Sequence, residues 1–483
     1  MLFNSFGYLI FLPLVVLLFW LSPQKLRTPL LLIASYVFYM TWKPIYGLLI
    51  GGLTLLNFYF GYALDKTTTK KKAVLVTGIT LNLLLLAYFK YAYFTRDLAN
   101  DLLKPLGTTV PAIPFQIILP LGISFFVFEF IHYLTDVYKG GKPVKSVIDF
   151  ALFASFFPTQ IAGPIKRYQD FIPQLNFEQK FDLKHFDEGI NLILFGLFKK
   201  VLFADNLSVV VQSTFSNAQH LSSLDTWLSV YAFAFQIYFD FSGYTDIARG
   251  SAMLLGFKVP ANFNLPYISS SIAEFWHRWH ISLSTWLRDY LYVPLGGSRC
   301  SRILNYRNLF LTMLLGGLWH GAAMHFVAWG AYQGILLVLH KEYLRLTQNL
   351  TWFNSFKDSK VFKYLAIVLT FHFVCIGWVF FRAETMDQAW QIIQKLLFLS
   401  AQPATMSSWS LSLPSITNPI IFLLLPFIVG LLFAGQILSA KLATRKEPLH
   451  FPLIVRAAYV AFIVNLLFLF TPDASPQFIY FQF

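Results

Sequence analysis

The chain has 483 residues, of which 57% are hydrophobic and 18% aromatic, with only 12% charged and a formal net charge of +14. A charged share about half the ~25% of soluble domains excludes a soluble globular or disordered class and indicates a polytopic membrane protein. The positive charge is scattered over short loops between apolar runs, which speaks against nucleic acid as a partner and for positive-inside placement in a lipid bilayer.

In chain order, the first apolar runs are Phe6 to Leu21, Thr28 to Met40, Ile45 to Leu64 and Ala73 to Tyr91, as crossings of a ~30 Å hydrocarbon layer require. No Lys or Arg precedes the first run and no small-residue cleavage site follows it, so it is expected to be retained as a helix. Lys25 and Arg27 follow the first run and Lys66, Lys70, Lys71 and Lys72 the third. Lys139, Lys142 and Lys145 close a fifth, from about Gln116 to Tyr138. These loops are expected on the cytoplasmic side of the membrane, with the N-terminus outside. Lys441, Arg445 and Lys446 before a last run, Pro452 to Phe470, put the C-terminus outside as well. The expected fold is all-α: a single domain over residues 1–483 with about 11 to 12 spanning helices plus re-entrant and interfacial ones. Within it, residues 1–146 form N-terminal helices, 147–343 a catalytic middle region and 344–483 C-terminal helices. Two cysteines, Cys300 and Cys375, lack the spacing of a zinc or redox motif.

The middle region mixes Pro, Gly, His, Arg and Asp into apolar sequence, and irregular backbone at membrane depth persists only inside protein or beside a watery cavity. Ile148 to Ile165, broken by Pro158, Gly163 and Pro164 and ended by Lys166 and Arg167, reads as re-entrant. Helices are expected around Ile190 to Phe215 and Thr226 to Phe241. Ile272 to Tyr292 is too charged to span and reads as an interfacial helix. Leu309 to Trp319 and Phe326 to His340 read as two shorter helices with His320 between them, where Gly316 and Gly317 permit close backbone approach.

Among ten histidines, His185, His220, His340 and His450 sit in polar or interfacial sequence. His320 lies inside LLGGLWHGAA, with no other ionisable group nearby. An intramembrane ionisable residue suggests function, and an imidazole of ordinary pKa ~6.5 can take a proton from a hydroxyl attacking a thioester. A neutral imidazole tying two helices together is the other reading. His277 and His280, in EFWHRWHISLS, are spaced to share roughly one helix face. A zinc site with His320 lacks an orienting carboxylate, so no metal is expected, and His280 is expected to orient the acyl group or His320. Glu129, His132 and Asp136 line one face of the fifth run without a second Glu-x-x-His, so they are expected to satisfy one another or line a wet cavity. Asp240, Tyr244 and Asp246 are expected at the end of a span, loosened by Ser242 and Gly243, either as structural hydrogen-bonding groups or, with Trp319 and His277, lining the chamber. Arg278, Arg288, Arg299, Arg302 and Arg307, joined by Lys166 and Arg167, concentrate basic charge suited to an anionic donor such as coenzyme A phosphates or an acidic carrier protein. Nucleophile-elbow, phosphate-loop and dinucleotide-turn motifs do not occur.

At FPTQIAGPIKR (157–167), FDFSGYTDIAR (239–249), FWHRWHISLSTWLRDYL (275–291), GGLWHGA (316–322), GWVFFRA (377–383) and the ending FIYFQF (478–483), the sequence resembles the membrane-bound O-acyltransferase family. The resemblance is strongest to its alginate O-acetyltransferase branch and covers nearly the whole chain. It implies that His320 is the catalytic histidine and His280 the second histidine. It further implies a helical fold with a thin centre, a cytoplasmic route for acetyl-CoA or another acyl thioester, and an outer funnel for the acceptor. The acceptor implied is an exported polysaccharide or a periplasmic or extracellular partner acetyltransferase; no bound cofactor is expected. Met324 and His325 depart from the family pattern. Peptidoglycan O-acetylation and D-alanyl transfer are rivals within the same chemistry, and a polysaccharide or lipid transporter is the rival outside it.

Overall fold

The computed structural model describes residues 1, 3–398, 430, 434–435, 437–438, 453–470 and 478–479. The expected inside loop at Lys441, Arg445 and Lys446, His450, and most of the FIYFQF ending lie outside the described residues. Among the described residues there are helices and no strands.

The helices are α1 Phe6–Leu21, α2 Gln24–Met40, α3 Ile45–Lys66, α4 Lys71–Leu103, α5 Ile123–Tyr138, α6 Val147–Ser155, α7 Tyr168–Asn176, α8 Leu183–Phe198 and α9 Asn206–Ser216. They continue with α10 Ser223–Leu254, α11 Ile272–Arg278, α12 Ile281–Leu287, α13 Arg302–His320, α14 Met324–Thr347, α15 Thr351–Lys357, α16 Lys360–Arg382, α17 Met386–Leu397 and α18 Leu453–Phe470. Among the described residues, α3, α4 with its following 3₁₀ turn, and α16 are long and apolar enough to cross a membrane by length and composition, and α1 is a shorter apolar helix. α10, α13 and α14, at 32, 19 and 24 residues, have spanning length but carry polar side chains such as Asp240, Asn308 and Gln333 that are buried in protein.

The chain gathers into two compact units interleaved in sequence: residues 1–197 with 244–261, and 198–243 with 262–483. Neither expected internal division, at 146/147 or 343/344, coincides with these boundaries. In the first unit α5 is buried almost all round and packs on α3 and α4. Asn57 and Asn82 join α3 to α4 by reciprocal amide hydrogen bonds of 3.1 and 2.8 Å. α6 is followed by irregular backbone over residues 156–167, of which 156–166 are buried, so its carbonyls and amides are sheltered by protein as the re-entrant reading requires.

The fifth run becomes helical only at Ile123, because Pro120 interrupts it and Gly122 (φ 73°) turns the chain into the helix. On its polar face Glu129, His132 and Asp136 each reach the segment 166–169. Lys166 Nζ lies 2.8 Å from Glu129 Oε1, the Tyr168 amide donates to His132 Nε2 at 3.4 Å, and Gln169 donates to Asp136.

In the second unit α13 and α14 form the most extensive helix pairing. A Cβ on Gly317 would stand 2.4 Å from the Phe326 carbonyl oxygen and 2.7 Å from Gly330 Cα. One on Gly330 would stand 2.5 Å from the Met313 carbonyl oxygen. The two backbones touch at this crossing, which only glycine allows.

Candidate active site

His320 is the last residue of α13 rather than part of a loop between two shorter helices; α13 begins already at Arg302, and only residues 321–323 separate it from α14. The Gly317–Gly330 crossing therefore sits one turn before the imidazole. The ring is 6% exposed and enclosed by aromatic side chains: Trp319, Trp329 and Phe381 have centroids 4.9, 5.0 and 5.2 Å away, all roughly edge-to-face. His325, next to the start of α14, is bound away from this group, its Nδ1 3.0 Å from the Phe380 carbonyl.

His280 is fully buried, with Phe241 edge-on at 4.7 Å and Trp319 at 6.5 Å. Trp319 thus touches both histidines. The expected single helix over Ile272–Tyr292 is two short helices, α11 and α12, broken at Trp279–His280 and followed by a π-helical turn, Arg288–Tyr292. His277 and His280 consequently do not share a helix face. His280 has φ 42° and ψ 55°, the left-handed region that costs a non-glycine residue ~1–2 kcal/mol. The break is braced by Asn262 and Asn264. Asn262 accepts from the Ile281 amide at its carbonyl (2.9 Å) and from the Ser282 hydroxyl at Oδ1 (2.6 Å), and the Asn264 amide donates to the Arg278 carbonyl (3.0 Å). These bonds offset the strain and hold the imidazole at the turn.

A cavity of about 400 Å³ opens beside this turn, walled by Trp276, Ile281, Leu309, Met313 and Leu337, with Arg288 at its edge. Its lining also includes His277, Ser284 and Thr285; neither His280 nor His320 is part of it. Ile281 directly follows His280, and Met313 stands on α13 seven residues before His320, about 10 Å of helical rise.

Of the expected basic cluster, Arg288, Arg299, Arg302 and Arg307 are exposed. Arg288 pairs with Asp289 at 2.7 Å, and Arg278 is half-buried, paired with Glu274 at 2.8 Å. Burial acts to raise the Glu274 carboxyl, but the Ser270 amide and hydroxyl and Arg278 outweigh it and leave it below the ordinary carboxylate value. Lys166 is 2% exposed, in the first unit, and spent on Glu129, because a charge among Phe153 and Phe171 needs a counter-ion. Arg167, beside it, is half-buried in the same unit.

The expected group on α10 divides between the two units. Ser242 and Gly243 do not end the helix, which runs on to Leu254. Asp240 is buried and paired with Lys200 at 2.7 Å, and Lys200 also holds Asp205 at 2.8 Å. The Ile479 amide donates to Asp240 Oδ2 at 2.7 Å, while Phe478 packs on Phe241. Tyr244 and Asp246 belong to the first unit, where Tyr244 stacks on Phe3 at 4.3 Å and Asp246 lies 3.8 Å from Arg249. Lys200 and Asp205 were absent from the sequence reading for a geometric reason. Five residues apart, they would diverge on an α-helix, but residues 199–205 wind as a π-helix, whose i→i+5 repeat brings them together. Among the described residues no three His, Cys, Asp or Glu side chains converge as a metal-binding set.

Comparison with known proteins gives the family. The sequence profile of MBOAT, the membrane-bound O-acyltransferase family, matches residues 83–382. The chain is 43% identical over 417 residues to the probable alginate O-acetylase AlgI of Pseudomonas aeruginosa, covering 85% of this chain and 76% of that one. It is 35% identical over 424 residues to the peptidoglycan O-acetyltransferase of Helicobacter pylori, covering 81% and 78%. It is 31% identical over 286 residues to the teichoic acid D-alanyltransferase of Bacillus subtilis, covering 56% and 70%. With its helical architecture and apolar spans, the chain belongs to the membrane-bound O-acyltransferase family and is a bacterial membrane acyltransferase.

Proposed function

We propose that this acyltransferase moves an acetyl group from a cytoplasmic thioester, acetyl-CoA or an acylated carrier, to a hydroxyl on an extracytoplasmic polysaccharide or partner acetyltransferase. The observation that carries this is His320, an imidazole buried among indoles at a rigid helix crossing and set within about 10 Å along α13 of an apolar cavity with an arginine at its edge. The cavity suits the uncharged arm of a thioester, and the exposed Arg288, Arg299, Arg302 and Arg307 suit its phosphates. Carrying those phosphates through hydrocarbon would cost several kcal/mol per charge, so the reactive ends meet inside the protein instead. His320 takes the hydroxyl proton as that oxygen attacks the thioester carbonyl, and returns it to the departing thiolate. His280, sharing Trp319 with His320, acts as the positioning histidine.

Residence in the inner membrane with both termini outward is favoured by the positive charge at Lys25 and Arg27 after the first apolar run, at Lys66, Lys70, Lys71 and Lys72 after the third, at Lys139, Lys142 and Lys145 after the fifth, and at Lys441, Arg445 and Lys446 before the last. Alginate-type O-acetylation is the first assignment, since the relative with that printed name is matched at 43% identity against 35% for the peptidoglycan enzyme.

The test is His320→Ala in the source bacterium. Acetyl ester on the exported polymer should vanish while the protein remains in the membrane at its normal level. Wild-type acetylation in that variant removes the base; loss of polymer export, rather than of acetyl content, points to a transporter.

A further inference from the structure

Resting on that reading of His320, we propose that Trp329 is a catalytic residue that donates its indole N–H to the acyl carbonyl oxygen as it becomes an oxyanion. When the hydroxyl oxygen bonds to the carbonyl carbon, its proton passes to His320 and the carbonyl π pair moves onto oxygen as negative charge. Collapse re-forms the C=O bond, breaks the C–S bond, and the proton goes from His320 to the thiolate. The negative charge needs a preplaced donor for its brief existence, and such donors act most strongly where water is excluded.

Three indoles of the second unit can be compared. Trp276 Nε1 donates to Gln333 Oε1 at 3.3 Å. Trp378 Nε1 donates to the Tyr267 hydroxyl at 3.1 Å, which donates onward to the Ala234 carbonyl at 2.6 Å. Trp329 is 1% exposed, and its Nε1 has no acceptor among the described residues. An indole N–H can only donate, and buried donors are nearly always paired, so the exception asks for an account. Its surroundings supply one. The Trp329 ring stands perpendicular to His320, 5.0 Å away at 88°, and packs against Trp276 at 5.8 Å, Phe381 at 5.3 Å and Trp378 at 6.0 Å. Its neighbour Gly330 is pressed on Gly317, so the ring is carried by the same backbone contact that carries His320. A donor kept dry beside the base, with no acceptor among the described residues to compete, is what the oxyanion requires.

The experiment replaces the chromosomal copy in the source bacterium with Trp329→Phe and, by amber suppression, with Trp329→benzothienylalanine, which keeps the indole outline and replaces N–H by sulfur. Cells are pulsed with labelled acetate, and the initial rate of label entering polymer acetyl ester is normalised to the amount of the protein in membranes. Thermal stability of the solubilised full-length protein is read in parallel. Both variants should acetylate about 100-fold more slowly, the scale of one lost oxyanion donor; the benzothienylalanine variant should melt no lower than wild type, because it removes only the donor, whereas Trp329→Phe also leaves a cavity and should melt lower. A benzothienylalanine variant within three-fold of the wild-type rate overturns the proposal. So does one whose rate falls together with its melting midpoint, which marks a packing role. His320→Ala in the same assay keeps the two readings apart: acetylation persisting there overturns the assignment of the base itself, whereas an inactive His320→Ala beside a fully active Trp329→benzothienylalanine overturns the oxyanion donor alone.

Discussion

Gly317→Ala tests how closely catalysis depends on the α13–α14 crossing. The added methyl would stand 2.4 Å from the Phe326 carbonyl oxygen and 2.7 Å from Gly330 Cα, both backbone atoms with no rotamer to yield. Restoring ordinary contact near ~3.5 Å obliges the helices to part by about 1 Å. Overpacking of that kind costs ~1–3 kcal/mol of stability. The displacement is felt one turn later at His320 and on the facing helix at Trp329, and a misplacement of about 1 Å can cost ~100-fold in rate. Gly316→Ala is the built-in comparison: its methyl would meet only the tip of Leu287, at 3.3 Å, a side chain free to swing. Acetylation rate and melting midpoint, measured for both in full-length protein, should fall steeply for Gly317→Ala and little for Gly316→Ala. Equal effects would refute the claim that backbone contact at Gly317 sets the position of the imidazole.

Lys166→Met should destabilise the protein by ~3–5 kcal/mol by leaving the Glu129 carboxylate buried without its partner. Adding Glu129→Leu should recover much of that loss, which a donor-binding lysine would not do; membrane abundance and melting midpoint report it. Replacing Arg288 and Arg299 together by alanine should raise the KM for labelled acetyl-CoA in inside-out membrane vesicles with kcat little changed, as loss of uniform binding does. An unchanged KM would remove these arginines from the donor site.

Much of this protein is legible in one dimension. The hydrocarbon layer demands long apolar runs, so α1, α3 and α4 announce themselves in composition, and His320 stands out because an ionisable group in LLGGLWHGAA has nothing local to explain it. The six motifs carried the family, since several in order over most of a chain leave little to coincidence. Where side chains meet was not legible. Lys166 and the surface arginines look alike as positive charges, and only folding sends the lysine inward to Glu129. Lys200 reaches Asp240 across 40 residues of sequence, and Asp205 through a π-helical turn that no local periodicity marks. The break at His280 runs against an amphipathic helical pattern and persists because Asn262, from a separate segment, captures the freed amides.

By itself, then, the amino-acid order determined which segments prefer lipid, which loops carry charge, and which histidine has no local excuse, because solvent preference belongs to each residue and its near neighbours. The tertiary structure alone decided which charges neutralise one another, where the helix yields to place His280, and that the Trp329 N–H beside His320 meets no acceptor among the described residues, because pairing depends on positions that folding brings together from distant parts of the chain.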